Sequence, residues 1–346
     1  MARRKSTRLS SVGKIEPAQL TLTFKSEVSP AGIPIRSIID LSQCASLANR
    51  RFYRQGLNWG VAGIKILSVS SGQAWTYKLP NTWVMANAWK KSMSTWAKMN
   101  REALAEAPSV KPRFLDFKVF MDSIHHTAGF AGNLLPMTIS QAGGLVSPAV
   151  VGEWESSKMF IPDTTSATGQ AYDRELIAVG GNYPGPGASG MNAVSLIEGY
   201  SASRLLPAVL DPNAPDDAAL VDGPFPENWI SATFNEGTQQ TDDVIDVMIT
   251  ENNIAPYPFE NDGAHFDTMY PGGANQLVGL QNHDVSNIYS TSATTSTGVA
   301  RIKGGSFPCG LIAIDWIPDV ASNIIIQVDL IPGSHRGYLA EPMQDM

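Results

Sequence analysis

Leu20, Leu22 and Phe24 alternate with Thr21 and Thr23, the period of a strand with one buried face. Pro30 and Pro34 then mark a turn that leads into a helix predicted from about Leu41 to Arg54. Asp40 caps its first turn, Gln43 stands where a capping box wants it, and Gly56 supplies the left-handed stop. Leu41, Cys44, Ala45, Ala48 and Phe52 share one face of this helix. Arg50, Arg51 and Arg54 are helical neighbours on another face and form a basic patch. From Leu57 to Val69 a longer strand follows, with Trp59, Val61, Leu67 and Val69 on one side and Ala62, Ile64 and Ile66 on the other. That pattern predicts cover on both faces, with Lys65 as the one interior charge. After the turn Ser70-Ser71-Gly72, a short strand passes through Trp75 and Tyr77.

A second helix is predicted from about Thr82 to Leu104. Met85, Trp89, Met93 and Trp96 recur at helical spacing, and Lys90, Lys91, Lys98 and Arg101 lie off that stripe. Two readings fit: bases stacked on tryptophan with phosphates on lysine, or a buried Met/Trp stripe with a solvated lysine face. Leu115, Phe117, Val119 and Met121 alternate as a strand. Beyond them, short apolar runs are separated by Gly, Pro, Asn and Ser clusters such as GGNYPGPGASG at 180–190, the mark of a β protein with long loops. Short helices are predicted at about Ser195 to Leu205 and Asp243 to Glu251. The chain closes on strands at Leu311 to Ile317 and at Ile324, Ile326, Val328 and Leu330, which face opposite to Gln327 and Asp329.

Composition sharpens this picture. Charged residues make up only 16% of the 346, against roughly 25% in average soluble proteins, so much of the surface is uncharged. Such a surface is expected where neighbouring subunits cover it, although a neutral secreted β protein shares the feature. The net charge of −7 hides a polarity: residues 1–120 hold 19 Lys+Arg and 6 Asp+Glu, and the rest hold 6 and 26. The separation points to a cationic side facing a polyanion, or to two halves that neutralise each other in the fold. Cys44 and Cys309 are too few for a disulfide framework and read as reduced core residues. The basic start MARRKSTRLSSVGK lacks the apolar stretch of a signal peptide, and no run is long enough for a membrane span; a protein without membrane association, made inside the cell, is expected.

Catalytic motifs are scarce. The sequence contains no GxxxxGK[ST], no GxGxxG between strand and helix, no HExxH and no CxxC, and Met191 stands where a nucleophile elbow around Ser189 needs glycine. His125 and His126, read as neighbours on a strand, point to opposite faces and do not share a metal. The acids Asp211, Asp216, Asp217, Asp222, Asp242, Asp243 and Asp246 match no calcium-loop spacing. No enzyme, cofactor or metal is expected. The constellation that carries a function is basic: Arg3, Arg4, Lys5 and Arg8 in an N-terminal arm (residues 1–14), joined by Arg50, Arg51 and Arg54. Such a set contacts phosphates without reading sequence, while for the three helical arginines a subunit contact or an ion pair is the competing role.

NRRFYRQGLNWGVAGIKIL at 49–67 resembles a segment of the capsid proteins of circular, replication-protein-encoding single-stranded DNA viruses. IIIQVDLIPGSHRGYLAEPMQDM at 324–346 resembles their C-terminal ending. The resemblance implies a single eight-stranded jelly roll with helical and long-loop insertions over residues 15–346. It further implies a homo-oligomeric icosahedral shell of sixty copies or a multiple, a single-stranded DNA genome bound by the basic arm, and a place in the virion after assembly in the host nucleus or cytoplasm. It leaves the host surface receptor open. This chain departs from the better-known circovirus pattern in its short arm and acidic net charge. A carbohydrate-binding or glycoside-processing jelly roll, and a single-stranded nucleic-acid-binding protein that forms no shell, are the rival readings.

Overall fold

Strand pairing follows from where the apolar alternation falls. The computed structural model describes residues 17–106, 109, 116–139, 146–162, 171–202, 279–289 and 297–346. All but Tyr200–Ala202 of these belong to one of two compact units, Met1–Gly199 together with Ala274–Met346; the other is Tyr200–Gly273. In chain order the elements are β1 (Thr21–Lys25), β2 (Ile35–Asp40), α1 (Leu41–Asn49), β3 (Leu57–Ser68), β4 (Gly72–Lys78), α2 (Trp83–Glu106) and α3 (Ser123–Ala128). Next come β5 (Met137–Ile139), β6 (Val146–Pro148), β7 (Met159–Pro162), β8 (Ala171–Ile177), β9 (Ala193–Ser195) and α4 (Leu196–Ala202). The last group is β10 (Gln281–Ile288), β11 (Gly298–Phe307), β12 (Leu311–Pro318), β13 (Ile324–Leu330), β14 (Pro332–Gly333), β15 (Gly337–Tyr338) and β16 (Ala340–Pro342). The protein is mainly β, with 42% strand and 23% helix among the described residues.

Two antiparallel sheets carry the architecture, one in the order β1-β13-β3-β11 and the other β10-β4-β12-β2. β1 pairs with β13, β2 with β12, β3 with β11 and β4 with β10, so the first four long strands and the last four run as two arms of one long hairpin. Rolling that hairpin adds the pairs β13 with β3 and β12 with β4. The inner faces of both sheets meet in one core, where Leu22, Phe24, Ile64, Ile66, Ile302 and Ile326 from the first sheet pack with Ile39, Ile314 and Trp316 from the second. Burying each such side chain contributes on the order of 1.5–3 kcal/mol.

β2 is a strand that the sequence reading passed over in favour of a turn, because IRSIID shows no alternation: Ser37 through Asp40 are all buried. In β3 both faces are covered only at its start, where Leu57, Asn58 and Trp59 are all buried; beyond Val61 one face is covered, contrary to the two-sided expectation. Trp59 and Val61 face the core, Ala62 is exposed, and Ile64 and Ile66 face the core again. A bulge at Ala62 shifts the phase, since Asp329 is opposite Gly63 while the next residue, Leu330, is opposite Val61. Lys65 therefore stands on the outward face, and Val69 beyond the strand end is 64% exposed.

α1 begins where expected, with the Asp40 carboxylate accepting from the Ser42 and Gln43 amides. It ends at Asn49, not Arg54, because Arg50 adopts the left-handed conformation (φ 53°) and Asn49 turns its amide back onto the Ala45 carbonyl. Gln43 does not close a capping box; its side chain accepts from Asn133 instead. In α2 the Met/Trp stripe is core, with Met85, Trp89 and Trp96 buried and Trp89 and Trp96 packed on Phe117 at 5.8 and 5.5 Å, while Lys90, Lys91, Lys98 and Arg101 are exposed. Phe117 to Met121 is extended but joins neither sheet. Its backbone is held by the Gln55 side chain, which bonds both the N–H and the carbonyl of Val119, and by one bridge from Phe120 to Ile177. Cys44 and Cys309 are both buried and free. The helix predicted at 243–251 and the acidic loops from Asp211 to Asp246 lie outside the described residues.

Candidate nucleic-acid interface

The seven basic residues expected to form the interface divide into two sets. Arg3, Arg4, Lys5 and Arg8 lie outside the described residues. Arg50, Arg51 and Arg54 do not share a helix face, because α1 has ended: they stand on the connection that carries the chain from α1 into β3. Arg50 and Arg54 are exposed and Arg51 half-buried.

What the fold brings to these arginines is the root of the arm. The Gln19 amide donates to Asn49 Oδ1 (2.9 Å), and the Gln19 carbonyl accepts from the Tyr338 hydroxyl (2.7 Å), which in turn accepts from Asn49 Nδ2 (2.7 Å). Gln19, near the start of the described residues, is thus tied directly to the end of α1, one residue before Arg50. Behind this junction Tyr53, Trp59 and Tyr338 form a buried aromatic cluster with ring centroids 5.3–5.8 Å apart. Gly310 (φ +68°) lets the chain pass Trp59, since a Cβ there would sit 2.8 Å from the indole ring. Burial raises the Tyr338 hydroxyl above its ordinary pKa, with the Asn49 hydrogen bond and the Arg51 charge opposing the shift.

The same junction gathers a cation that sequence reasoning missed. Arg336, exposed at the turn between β14 and β15 with φ 51°, donates to the Phe52 carbonyl, and its own carbonyl accepts from Tyr53 Oη (3.0 Å). In the sequence its only signal is the pair His335-Arg336 between Gly333 and Gly337, the composition of a turn with a basic tip. Arg54 leans the other way. Its guanidinium lies over the Phe52 ring at 5.9 Å, and its charge helps lower the Asp116 carboxyl, which burial otherwise raises. The set that surrounds the arm root is therefore Arg50, Arg51 and Arg336.

The buried histidine pair is held by structural contacts, although His125 Nε2 has no hydrogen-bond partner among the described residues. His125 and His126 sit on the short helix α3, not on a strand, and both are fully buried. His126 Nε2 contacts Glu175 Oε2 at 2.8 Å, and Ser156 donates to the other oxygen at 2.7 Å, so the carboxylate is shared by the two and Ser156 bonds to Glu175 and not to the histidine. His125 accepts from the Met121 amide, and burial lowers its pKa to about 3. Among the described residues no group of three or more His, Cys, Asp or Glu could hold a metal ion. Comparison of the chain with the models of known protein families, with characterised proteins and with solved structures gives no match in any of the three.

Proposed function

We propose that this chain is the coat subunit of a single-stranded DNA virus, an eight-stranded jelly roll that closes into an icosahedral shell around its genome. The observation that carries the reading is the nested pairing of two four-stranded arms into facing sheets of order β1-β13-β3-β11 and β10-β4-β12-β2. Such nested pairing supports the long-hairpin wrapping of a double-sheet jelly roll, an architecture that viral shells share with lectins and cupins. The shell reading is favoured over those relatives by the 16% charge content, which suits a surface covered by neighbours, and by the cations around the arm root. Nonspecific phosphate contacts by Arg3, Arg4, Lys5 and Arg8, together with Arg50, Arg51 and Arg336, would hold the DNA. Sixty copies or a multiple satisfy the closed symmetry through heterologous contacts.

The test is to express the full chain and examine it by sedimentation and negative-stain microscopy across salt, pH and concentration. Uniform closed particles containing nuclease-protected single-stranded DNA are expected. A protein that stays monomeric throughout, or one retained as a monomer on a sugar column, overturns the shell reading; filaments on single strands would favour a binding protein without a shell.

A further inference from the structure

The outward face of the first sheet carries a second cationic surface, apart from the arm root. Register places Thr23, Gln327, Lys65 and Arg301 in one row across the four strands, and Thr21, Asp329, Gly63 and Lys303 in the next. Lys65 pairs with Asp329 at 3.2 Å, and Thr21 donates to the same carboxylate. Arg301 and Lys303 are exposed, and no ion pair holds either among the described residues. Beyond Gly63 and Lys303 the face drops into an open groove of about 570 Å³, within the roughly 300–1,000 Å³ of small-ligand sites. Gly60, Ala62 and Gly304 contribute to its lining, with Ile331 and Leu339 and, as its charged member, Glu341, which accepts from Asn58 Nδ2 at 2.9 Å.

The glycines discriminate between a structural and a binding explanation. Glycine in a central strand weakens it and commonly marks a bulge or a close approach by another backbone or by a ligand. At Gly60 a Cβ would press on Leu339, and at Gly304 it would lie 2.2 Å from the Val61 carbonyl, so the fold itself requires both. Gly63 is different: its Cβ would meet only the Ile302 carbonyl, at an ordinary 3.4 Å, and its φ is not positive. Nothing in the fold asks for glycine there, between a cation and the groove. We infer that this face seats a nucleotide of the single strand. The base occupies the groove with its exocyclic amino group towards Glu341, the sugar passes over Gly63, and Lys303 and Arg301 take the flanking phosphates. The inference rests on the DNA-binding part of the coat reading and adds a site to it.

The test uses the full-length protein and fluorescence anisotropy at low salt with labelled oligo(dC), oligo(dT) and an abasic oligomer of equal length. Wild-type protein is expected to bind oligo(dC) about tenfold or more tightly than the abasic strand, the range of one or two accommodated bases. Gly63→Val should keep or raise the thermal midpoint, because a β-branched residue suits a strand, yet lose that margin. Should Gly63→Val not fold, Lys303→Ala at an exposed position serves, with weaker binding of all three strands, and Glu341→Gln should narrow the preference for oligo(dC) over oligo(dT). A folded Gly63→Val protein with undiminished affinity overturns the site and leaves the coat reading standing. So does one that binds normally but no longer assembles, which would make the groove a subunit contact. No binding of any strand by wild-type protein overturns both.

Discussion

The Tyr338 hydroxyl donates to the Gln19 carbonyl across 319 residues of sequence, joining the C-terminal hairpin to the root of the basic arm. Because the same oxygen accepts from Asn49, one phenol joins three segments: the chain at Gln19, the end of α1 and the β14–β15 turn that carries Arg336. Tyr338→Phe keeps the ring against Trp59 but removes the hydroxyl from the Gln19 carbonyl and from Asn49 Nδ2, which keeps its bond to the Ala45 carbonyl. A loss of about 0.5–1.5 kcal/mol is expected, the net contribution of an intramolecular hydrogen bond to groups that water can reach. In limited proteolysis the variant should be cut at and beyond residue 19, where wild-type protein is trimmed only before it. An unchanged thermal midpoint with unchanged cleavage would show that the junction is not held this way.

Arg36 is the most heavily used cation inside the fold. It bonds both oxygens of Asp315 at 2.8 and 2.9 Å and one of Asp122 at 2.8 Å, tying β2 to β12 and to the cap of α3. Its pKa is raised first by the Asp315 hydrogen bond, against desolvation. Arg36→Met leaves two part-buried carboxylates facing each other, and a loss of about 3–5 kcal/mol is expected by denaturant unfolding. Adding Asp315→Asn should recover part of it, since one uncompensated charge is then removed.

How much of this was legible in the sequence depended on whether the signal was local. β1 and β13 alternate cleanly, Asp40 announces the start of α1, and the stripe of α2 gives both its length and its buried face. β2 escaped because a strand buried along four consecutive positions has no period to read. The bulge at Ala62 escaped because a single extra residue changes the facing of everything before it while leaving the composition apolar. The end of α1 was misplaced by the pull of Gly56, whereas Arg50 took the left-handed position itself, with Asn49 bonded to the arm root and to Tyr338. Those partners lie 30 and 289 residues away, Arg336 is nearly as distant as the second, and no local pattern announces them.

Removal of residues 2–8 tests the arm directly. Four cations are lost, and with about 0.7 units of logarithmic salt slope per neutralised phosphate on single strands, the slope should flatten by up to about 3 units per bound subunit. Arg336→Ala, which keeps the backbone bond to Tyr53, should flatten it by about 0.7 if the arm root contacts phosphate as proposed. Purified particles of the truncated protein should show a lower ratio of absorbance at 260 to 280 nm. Full DNA content with an unchanged slope would remove the arm from the interface.

Two buried groups give the fold opposed pH dependences. Asp40 accepts from the amides of Ser42 and Gln43 and from the side chains of Gln55 and Trp154, yet burial outweighs these bonds and lifts its pKa from 3.8 to about 6. A raised carboxyl binds its proton more tightly when folded, so the associated stability is fully present below about pH 4 and is lost as pH rises through about 6; the difference is about 3 kcal/mol. His125 has the reverse sign. Its pKa falls from 6.5 to about 3, so the unfolded chain takes up the proton first and stability is lost as pH falls from about 6.5 towards 3. Between about pH 4 and 6 the two slopes, each about 1.4 kcal/mol per pH unit, cancel. Asp40→Asn should therefore unmask a steep loss of stability on acidification relative to wild type. His125→Asn, whose Oδ1 can replace Nδ1 as acceptor for the Met121 amide, should unmask a gain. Urea unfolding at half-unit steps of pH reads both differences, and parallel curves for wild type and the two variants would show that neither group titrates as its burial dictates.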